Sequence, residues 1–215
     1  MNENLEPAKN SSHTDEYVYI LGNNIYINLT NKCTNKCDFC VRGAGVEDWY
    51  LNGANLWLSQ EPTANDVIEA LQKNNFKRYD SVVFCGYGEP LIRLETCIGI
   101  AKWLKKNGAK SVRVNTNGQA NLIHNRDVSA ELVGLFDCIS ISLNASNSAD
   151  YQAVCHCCYG EVGFDSMLNF AQKCVDKGLR VVMSVVDILP KDEIIKCGEI
   201  VLKIGAEFKV RELIK

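Results

Sequence analysis

The sequence predicts an α/β fold in which six parallel strands alternate with helices and curl into a partial (β/α)6, TIM-like barrel. Short apolar runs alternate with segments of helical periodicity after Pro62. The connections between the predicted strands are long enough for crossover helices, which makes neighbouring strands parallel. A chain of 215 residues can also form one large domain with its own core. A doubly wound open sheet is the alternative that the same pattern allows.

The predicted elements follow in chain order. A small N-terminal hairpin is expected from strands at 17–21 and 25–29 around a turn-prone Gly-Asn-Asn. Further strands are predicted at 81–85, 111–114, 138–143, 179–186 and 207–213. Helices are predicted around 67–71, 94–104, 164–175 and 194–204, where apolar residues recur every three or four positions.

The chain is predicted to hold a single domain over residues 16–215. Residues 1–15 are polar, and we expect them to form a disordered tail. Residues 43–62 interrupt the regular alternation and hold Trp49, Tyr50 and Trp57. We therefore interpret this stretch as an insertion or a lid.

Composition argues against several classes of protein. The net charge is −3 with acids and bases interspersed, so no basic stripe suited to nucleic acid is present. No apolar run approaches the ~20 residues of a membrane span. Eleven cysteines without a preceding signal-peptide pattern favour reduced thiols and a cytoplasmic location over a secreted disulfide scaffold.

Three cysteines lie in one short loop after the second predicted strand. Cys33, Cys37 and Cys40 have the spacing Cys-x3-Cys-x2-Cys, and three thiolates this close cannot all pair as disulfides. A structural zinc site needs a fourth ligand, and none of the three histidines has a spacing that supplies it. The spacing therefore favours an iron-sulfur cluster with one iron left open to a cofactor or substrate.

Three more polar or glycine-rich stretches follow or close predicted strands, where chemistry gathers in parallel α/β folds. These stretches are Gly-Tyr-Gly-Glu-Pro at 86–90, Asn-Thr-Asn-Gly at 115–118 and Ser-Leu-Asn at 142–144. The first is neither a dinucleotide fingerprint nor a P-loop, and it also suits a helix start with Pro90 at the first position. Ser142 and Asn144 alternate along one strand, so we expect both side chains on the same face.

The other cysteines fall into two groups. Five lie within apolar stripes or strands and are interpreted as small buried hydrophobic residues: Cys85, Cys97, Cys138, Cys174 and Cys197. The run Cys155-His156-Cys157-Cys158 holds four potential ligands, but consecutive residues cannot easily converge on one tetrahedral metal. The role of this run stays open.

The cysteine spacing, with Phe39 before the last cysteine, resembles the radical S-adenosylmethionine (SAM) superfamily over nearly the whole chain from residue 17 onward. Within it, the chain is most similar to short radical SAM proteins associated with TatD-like hydrolases. That narrower resemblance rests on Leu-Gly-Asn-Asn-Ile-Tyr-Ile-Asn-Leu-Thr before the cysteines, Val-Arg after them, Leu-Trp-Leu and Glu-Pro within 56–62, Gly-Tyr-Gly-Glu-Pro-Leu, and the closing Phe-Lys-Val-Arg.

The resemblance implies that Cys33, Cys37 and Cys40 hold a 4Fe-4S cluster and that SAM chelates the fourth iron. An electron from a donor such as flavodoxin or ferredoxin would cleave SAM to methionine and a 5'-deoxyadenosyl radical, which takes hydrogen from an unidentified substrate. The resemblance assigns SAM contacts to Phe39, Tyr87, Gly88, Glu89, Asn117, Ser142, Asn144, Ser184 and Arg211. For Arg211 the carboxylate could belong to SAM or to the substrate, and a solvated strand end is the alternative.

Several functions remain open within this resemblance. A TatD-like hydrolase is implied as a partner. The substrate could be the protein target of a glycyl-radical-enzyme activase or a small molecule undergoing rearrangement. From another class, a zinc-stabilised accessory binding protein is the alternative.

Overall fold

The computed structural model describes residues 15–42 and 55–213. Within these residues, seven strands form one sheet in chain order: β1 (Val18–Leu21), β2 (Asn24–Ile27), β3 (Ser81–Phe84), β4 (Val112–Thr116), β5 (Cys138–Ser142), β6 (Val181–Val186) and β7 (Glu207–Arg211). The β1–β2 pair is antiparallel, and every later pair is parallel. Because β1 and β7 do not pair within the described residues, the sheet is open. The predicted fold class, a hairpin leading into six parallel strands, is confirmed.

In the described residues, six helices connect these strands: α1 (Ala64–Lys73), α2 (Leu94–Lys106), α3 (Ala120–Ile123), α4 (Ser148–Cys155), α5 (Val162–Asp176) and α6 (Lys191–Ile204). Thr63 begins α1 with a reciprocal capping box to Asp66. Buried apolar side chains from the strands and helices form one large core. The helices α1, α2, α5 and α6 match the predicted ones. The helices α3 and α4 were missed, because four and eight residues are too few to show a helical period.

The two faces of the sheet carry different side chains. In β4, the alternate residues Val112, Val114 and Thr116 are buried, while Arg113 and Asn115 point to the other face and are half-buried. Directly paired residues in parallel strands share a face, so the register extends this second face across the sheet. We call it the lumen, and its side chains include Tyr26, Val83, Arg113, Asn115, Cys138, Ser140, Ser142, Ser184, Lys209 and Arg211.

Several predicted boundaries were wrong. The hairpin turn is only Gly22 and Asn23, since Asn24 already pairs with Leu21 in the sheet. Gly22 has φ +55°, a conformation that glycine adopts readily. Asn115 and Thr116, predicted as a turn, belong to β4 because they pair with β5. Strand pairing overrides the turn preference of asparagine there.

Residues 1–14 and 43–54 lie outside the described residues, and with them most of the predicted tail, the first part of the insertion, Trp49 and Tyr50. The last part of the insertion is seen packed against the loop that follows β2. Asn28 Nδ2 donates to Leu56 O (2.8 Å), and Asn31 Nδ2 donates to Leu58 O (2.8 Å). Within the described part of the chain, no helix is long and apolar enough to cross a membrane.

Candidate functional site

The cysteine loop follows β2 at the carboxyl edge of the parallel sheet. Cys33, Cys37 and Cys40 are half-buried, and none forms a disulfide with another described cysteine. The Cys40 amide donates to Cys37 O (3.0 Å), which closes a turn between the last two cysteines. The Asn35 amide lies 3.4 Å from Cys33 Sγ. The loop therefore presents three free thiols on a defined backbone.

Residues 154–158, which we call the strap, support the cysteine loop from the α4 side. Three main-chain hydrogen bonds join them: Lys36 N to Cys155 O (2.9 Å), Asp38 N to Val154 O (3.1 Å) and Cys158 N to Thr34 O (2.9 Å). The chain turns out of α4 at His156, which has φ +44°. The His156 Nε2 atom also lies 2.7 Å from Asp38 Oδ1. The cysteine-rich run that the sequence left open is thus a support for the loop.

One thiol of the strap touches a predicted cluster ligand. The buried thiol of Cys155 lies close enough to the thiol of Cys37 to raise its pKa, and Asn144 Nδ2 lies 3.7 Å from Cys155 Sγ. In the described part of the chain, no three His, Cys, Asp or Glu side chains are arranged to hold a single metal ion.

A buried network of polar side chains holds the start of the loop. Tyr151 OH accepts from Asn35 Nδ2 and Gln119 Nε2, each at 2.9 Å. Gln119 Oε1 accepts from Thr34 Oγ1 (2.6 Å), and Asn117 Nδ2 donates to the same hydroxyl (2.7 Å). Buried amides and hydroxyls that satisfy one another in this way specify one arrangement of the backbone. The loop is therefore tied to the end of β4 and to α4.

Arg42 supports the loop from its far end. Its guanidinium donates to Asn31 O (2.9 Å) and to Asn35 O (3.1 Å), so it spans the segment that holds Cys33. Burial raises the pKa of the Cys40 thiol, and the Arg42 charge partly opposes that rise. A cation at this position favours thiolate at Cys40.

The Gly-Tyr-Gly-Glu-Pro stretch packs directly on the backbone of the cysteine loop. A Cβ atom on Gly88 would lie 2.3 Å from Thr30 O and 2.4 Å from Lys32 O. The Glu89 amide donates to Lys32 O (2.8 Å). Only glycine permits this approach, because both obstructing atoms belong to the backbone.

Glu89 joins this stretch to the end of β4. Its carboxylate accepts from Leu91 N (3.0 Å), Thr116 Oγ1 (2.8 Å) and Asn117 N (2.7 Å), and the residue is 3% exposed. Burial raises the pKa of this carboxyl to about 7, against the opposing effect of its hydrogen bonds. Glu89 also precedes a 3-10 turn that begins at Pro90. The predicted helix start is thus present.

The three loop thiols suit a thiolate-bound cluster that forms with loss of protons. Burial raises the pKa of Cys33 to about 12, and the Cys155 contact together with burial raises the pKa of Cys37 further. Metal binding must therefore release protons from these groups. The Asn35 amide and Asn117 Nδ2, at 3.4 and 3.9 Å from Cys33 Sγ, supply donors directed at a ligand sulfur. The residues present fit a cluster with one open iron.

Comparison with known proteins agrees with this geometry. The profile of the Radical SAM superfamily matches residues 27–201, which is most of the chain. The chain belongs to the radical SAM superfamily. Members of this enzyme superfamily use a 4Fe-4S cluster and SAM, so the cofactors named from the sequence are confirmed for the superfamily.

Individual relatives are more distant. The chain is 28% identical over 123 residues to a probable dual-specificity RNA methyltransferase RlmN from Rippkaea orientalis (strain PCC 8801 / RF-1), a match covering 54% of this chain and 31% of the relative. SuiB from Streptococcus suis bound to its precursor peptide SuiA has a TM-score of 0.66 at 16% identity, with 87% of this chain and 38% of SuiB covered. A radical SAM methyltransferase from Sphaerobacter thermophilus has a TM-score of 0.63 at 14% identity, with 91% and 68% covered.

These likenesses show the fold. The chain spans about a third of the curated relative and about two fifths of SuiB, whose structure has also been solved with S-adenosylmethionine. The narrower resemblance to TatD-associated proteins stays a prediction.

The SAM-binding residues named from the resemblance fall into two groups in the structure. Gly88, Glu89 and Asn117 meet the cysteine loop directly. Ser184 and Arg211 meet each other further along the sheet, where Arg211 Nε donates to Ser184 Oγ (3.0 Å). Their roles stay predictions.

The remaining predicted residues lie around these groups. Phe39 packs against the core, Tyr87 lies edge-on to Trp57 with ring centroids 5.2 Å apart, and Ser142 ends β5 opposite Ser184. Asn144 has φ +61° and follows β5. The prediction that it continues the alternation of Ser142 was wrong, because the strand has already ended.

Sequence reasoning missed the residues that hold the cysteine loop from a distance. Gln119 and Tyr151 belong to no sequence motif, and the role of Cys155 was left open. Only the fold brings these three residues to the loop. Cys85 was interpreted as a buried hydrophobic residue, yet it is half-buried and directly follows the carboxyl end of β3. The other four cysteines read that way are buried, as predicted.

We expect the change Gly88→Ala to destabilise the protein by ~2 kcal/mol or more, because the new Cβ must push two backbone carbonyls apart. Gly99→Ala, at an exposed position of α2, is the matched control, because its Cβ would have no atom within 4 Å. The control should stabilise by ~0.5–1 kcal/mol. Urea unfolding of both variants measures the difference, and equal stabilities would contradict the proposed close approach.

The Glu89→Gln change should reduce the loss of stability as pH rises. In the folded wild type the pKa of the Glu89 carboxyl is about 7, above the ordinary 4.5. Its contribution to the free energy of unfolding is therefore fully present below pH 4.5 and is lost as pH rises through 7. Relative to the wild type, the variant should gain roughly 2 to 4 kcal/mol between pH 4.5 and pH 8. Urea unfolding at the two pH values tests the direction, and a constant difference would be inconsistent with a buried neutral carboxyl.

Tyr151→Phe should destabilise the protein by ~1–3 kcal/mol, because two buried amide donors lose their acceptor. Tyr159→Phe removes a hydroxyl from an exposed tyrosine next to the strap and serves as the control. We expect its effect to stay within ~0.5 kcal/mol. Thermal unfolding of the two variants gives the comparison, which fails if both changes cost the same.

Proposed function

We propose that this protein is a radical SAM enzyme that cleaves SAM reductively to methionine and a 5'-deoxyadenosyl radical, which takes a hydrogen atom from the substrate. The cofactors supply this chemistry, and the protein holds and orients them. One observation carries the proposal. Three free, half-buried thiols lie on one anchored loop at the carboxyl edge of the parallel sheet, directly against the Gly-Tyr-Gly-Glu-Pro stretch.

The proposed ligands of the cluster are Cys33, Cys37 and Cys40. The main-chain bonds to the strap and the Arg42 guanidinium fix the spacing of these residues before any metal is bound. A preformed loop lowers the ordering cost of binding a cluster. The Asn35 amide and Asn117 Nδ2 would stabilise the thiolate of Cys33 through N–H to sulfur contacts.

The proposed SAM contacts lie on both sides of this loop. Backbone oxygens at Tyr87 and Gly88 and the Glu89 carboxylate would accept from the SAM ammonium. The carboxylate is already fixed by three donors, so it would act without reorganising. Asn117, Ser142, Asn144, Ser184 and Arg211 would contact the SAM carboxylate or ribose, with Phe39 beside the cluster.

Aromatic residues near the cysteine loop would keep water from the reacting atoms. Leu56 packs with Tyr19, while Tyr26 and Tyr87 lie against the same pair. We propose that residues 43–62 act as the lid over this region. A reductant of the flavodoxin or ferredoxin class supplies the electron, and a TatD-like hydrolase is the proposed partner.

The test uses protein purified and reconstituted with iron and sulfide without air. We expect about four irons per chain and formation of 5'-deoxyadenosine when SAM and dithionite are added. Cys37→Ala should lose both signals. Cys158→Ala removes an exposed strap thiol that is not a proposed ligand, and it should keep the iron.

Metal analysis of the protein purified without air separates the alternatives. Folded wild-type protein that holds zinc tightly and takes up no iron would reject the proposal in favour of a zinc-stabilised binding protein. Iron uptake without formation of 5'-deoxyadenosine would support the proposed cluster but reject the proposed cleavage of SAM.

A further inference from the structure

The thiol of Cys155 lies beside the proposed cluster ligand Cys37 and has no role in the function proposed above. Cys155 is the last residue of α4 and is fully buried. Lys36 N donates to Cys155 O (2.9 Å), and Asp38 N donates to Val154 O (3.1 Å). The two residues that flank Cys37 are therefore fixed to two consecutive carbonyl groups at the carboxyl end of α4.

Side-chain packing brings the two thiols to the same place. Cys155 belongs to the hydrophobic core, and the side chain of Cys37 packs against that core. The neighbouring Cys155 thiol and burial both raise the pKa of the Cys37 thiol. Asn144 Nδ2 also lies 3.7 Å from Cys155 Sγ. Because the amide is the donor in that contact, the single proton of the Cys155 thiol remains for another acceptor.

The other two proposed ligands also have a donor or a cation beside them. The Asn35 amide and Asn117 Nδ2 lie 3.4 and 3.9 Å from Cys33 Sγ, and the Arg42 charge lowers the pKa of the Cys40 thiol against the effect of burial. Hydrogen bonds to the ligand sulfurs are among the features that set the reduction potential of an iron-sulfur cluster. The surroundings of the loop thus resemble those by which proteins tune such a cluster.

We propose that Cys155 is a positioning residue of the cluster, whose S–H group donates a hydrogen bond to the Cys37 thiolate and thereby raises the reduction potential. This inference rests on the proposed function and deepens it, because it gives a residue outside the ligand motif a part in electron uptake. A hydrogen bond to an ionised acceptor is stronger than one between neutral groups, and no water competes for it at a fully buried thiol. Electron uptake makes the ligand sulfurs more negative, so the donor stabilises the reduced form more than the oxidised form.

A role in packing alone makes a different prediction. Removing the Cys155 thiol would then leave a small cavity and lower the free energy of unfolding, as at any other buried thiol. The reduction potential would stay at the wild-type value. A hydroxyl in place of the thiol would likewise have no effect on the potential. The potential therefore separates the two roles of Cys155, whereas stability does not.

The test uses protein reconstituted with iron and sulfide without air, and it measures the reduction potential without SAM. Titration with dithionite in the presence of redox mediators, followed by electron paramagnetic resonance of the reduced cluster, gives the midpoint. We expect Cys155→Ala to lower the potential, so that at the wild-type midpoint the ratio of reduced to oxidised cluster falls roughly threefold or more. Cys155→Ser keeps a donor and should restore the potential at least in part.

Two control variants remove thiols that are not in this contact. Cys158→Ala removes an exposed thiol from the same strap, and Cys174→Ala removes a buried thiol from α5. Both should keep the wild-type potential. If Cys155→Ala takes up no iron, Cys155→Val fills the same space without a donor and replaces it in the comparison.

Three results would overturn the proposal. The first is an unchanged potential in Cys155→Ala. The second is a potential in Cys155→Ser that stays as low as in Cys155→Ala. The third is a failure of both Cys155→Ala and Cys155→Val to take up iron, since Cys155 would then be needed to assemble the cluster rather than to tune it.

The two proposals fail separately in these experiments. Protein whose cluster potential depends on Cys155 but which forms no 5'-deoxyadenosine would reject the cleavage of SAM and keep the role of Cys155. Protein that forms 5'-deoxyadenosine with a potential indifferent to residue 155 would reject the role of Cys155 alone. Folded protein that takes up no iron would reject both.

Discussion

The cysteine loop has no helix or strand of its own, so its backbone groups depend on partners supplied by other segments. A buried amide or carbonyl without a partner is costly, and each one must therefore be met. Carbonyl groups of the strap accept hydrogen bonds from the amides of Lys36 and Asp38, and the Glu89 amide donates to Lys32 O. The Arg42 guanidinium donates to the carbonyl groups of Asn31 and Asn35. The positions of the three thiols thus follow from packing between the ends of β2, β3 and α4.

The contact between Cys37 and Cys155 links the loop to the opposite side of the site. Asn144 Nδ2 approaches Cys155, and Cys155 meets Cys37, so a line of polar groups runs from the end of β5 to a proposed cluster ligand. Binding iron requires Cys37 to lose its proton, which leaves a sulfur that can only accept hydrogen bonds. The strap thiol is then placed to donate to it. The strap therefore supports the backbone of the loop and also places a hydrogen-bond donor beside a proposed cluster ligand.

Much of the fold and the loop could be predicted from the sequence because both are encoded locally. Alternating apolar runs gave the strands, and the cysteine spacing gave the ligand loop. The strap and the polar network could not be found in that way. Asn35 and Tyr151 lie 116 positions apart, and Asp38 and His156 lie 118 apart. Only the tertiary fold brings these pairs together, and no local sequence pattern indicates them.

The position of Arg113 on the lumen face could not be predicted from the sequence for a related reason. A single arginine within a short strand is most simply interpreted as a solvated side chain. The residues around it in the sequence do not indicate which face of the sheet it lies on. The register resolves this, because Val83, Arg113 and Cys138 lie side by side on the lumen face. Asn115 was assigned to a turn for the same lack of pairing information. Strand register, rather than residue type, decides which polar residues of β4 face the lumen.

The lumen has two chemically different walls, and this division limits how a substrate can lie in it. Tyr19 stacks on Tyr26 with ring centroids 5.1 Å apart, and Leu56 covers them on the β1–β3 side. The β4–β7 side carries the guanidinium groups and hydroxyls. A ligand in this space would therefore contact aromatic rings on one side and charged or hydroxyl groups on the other.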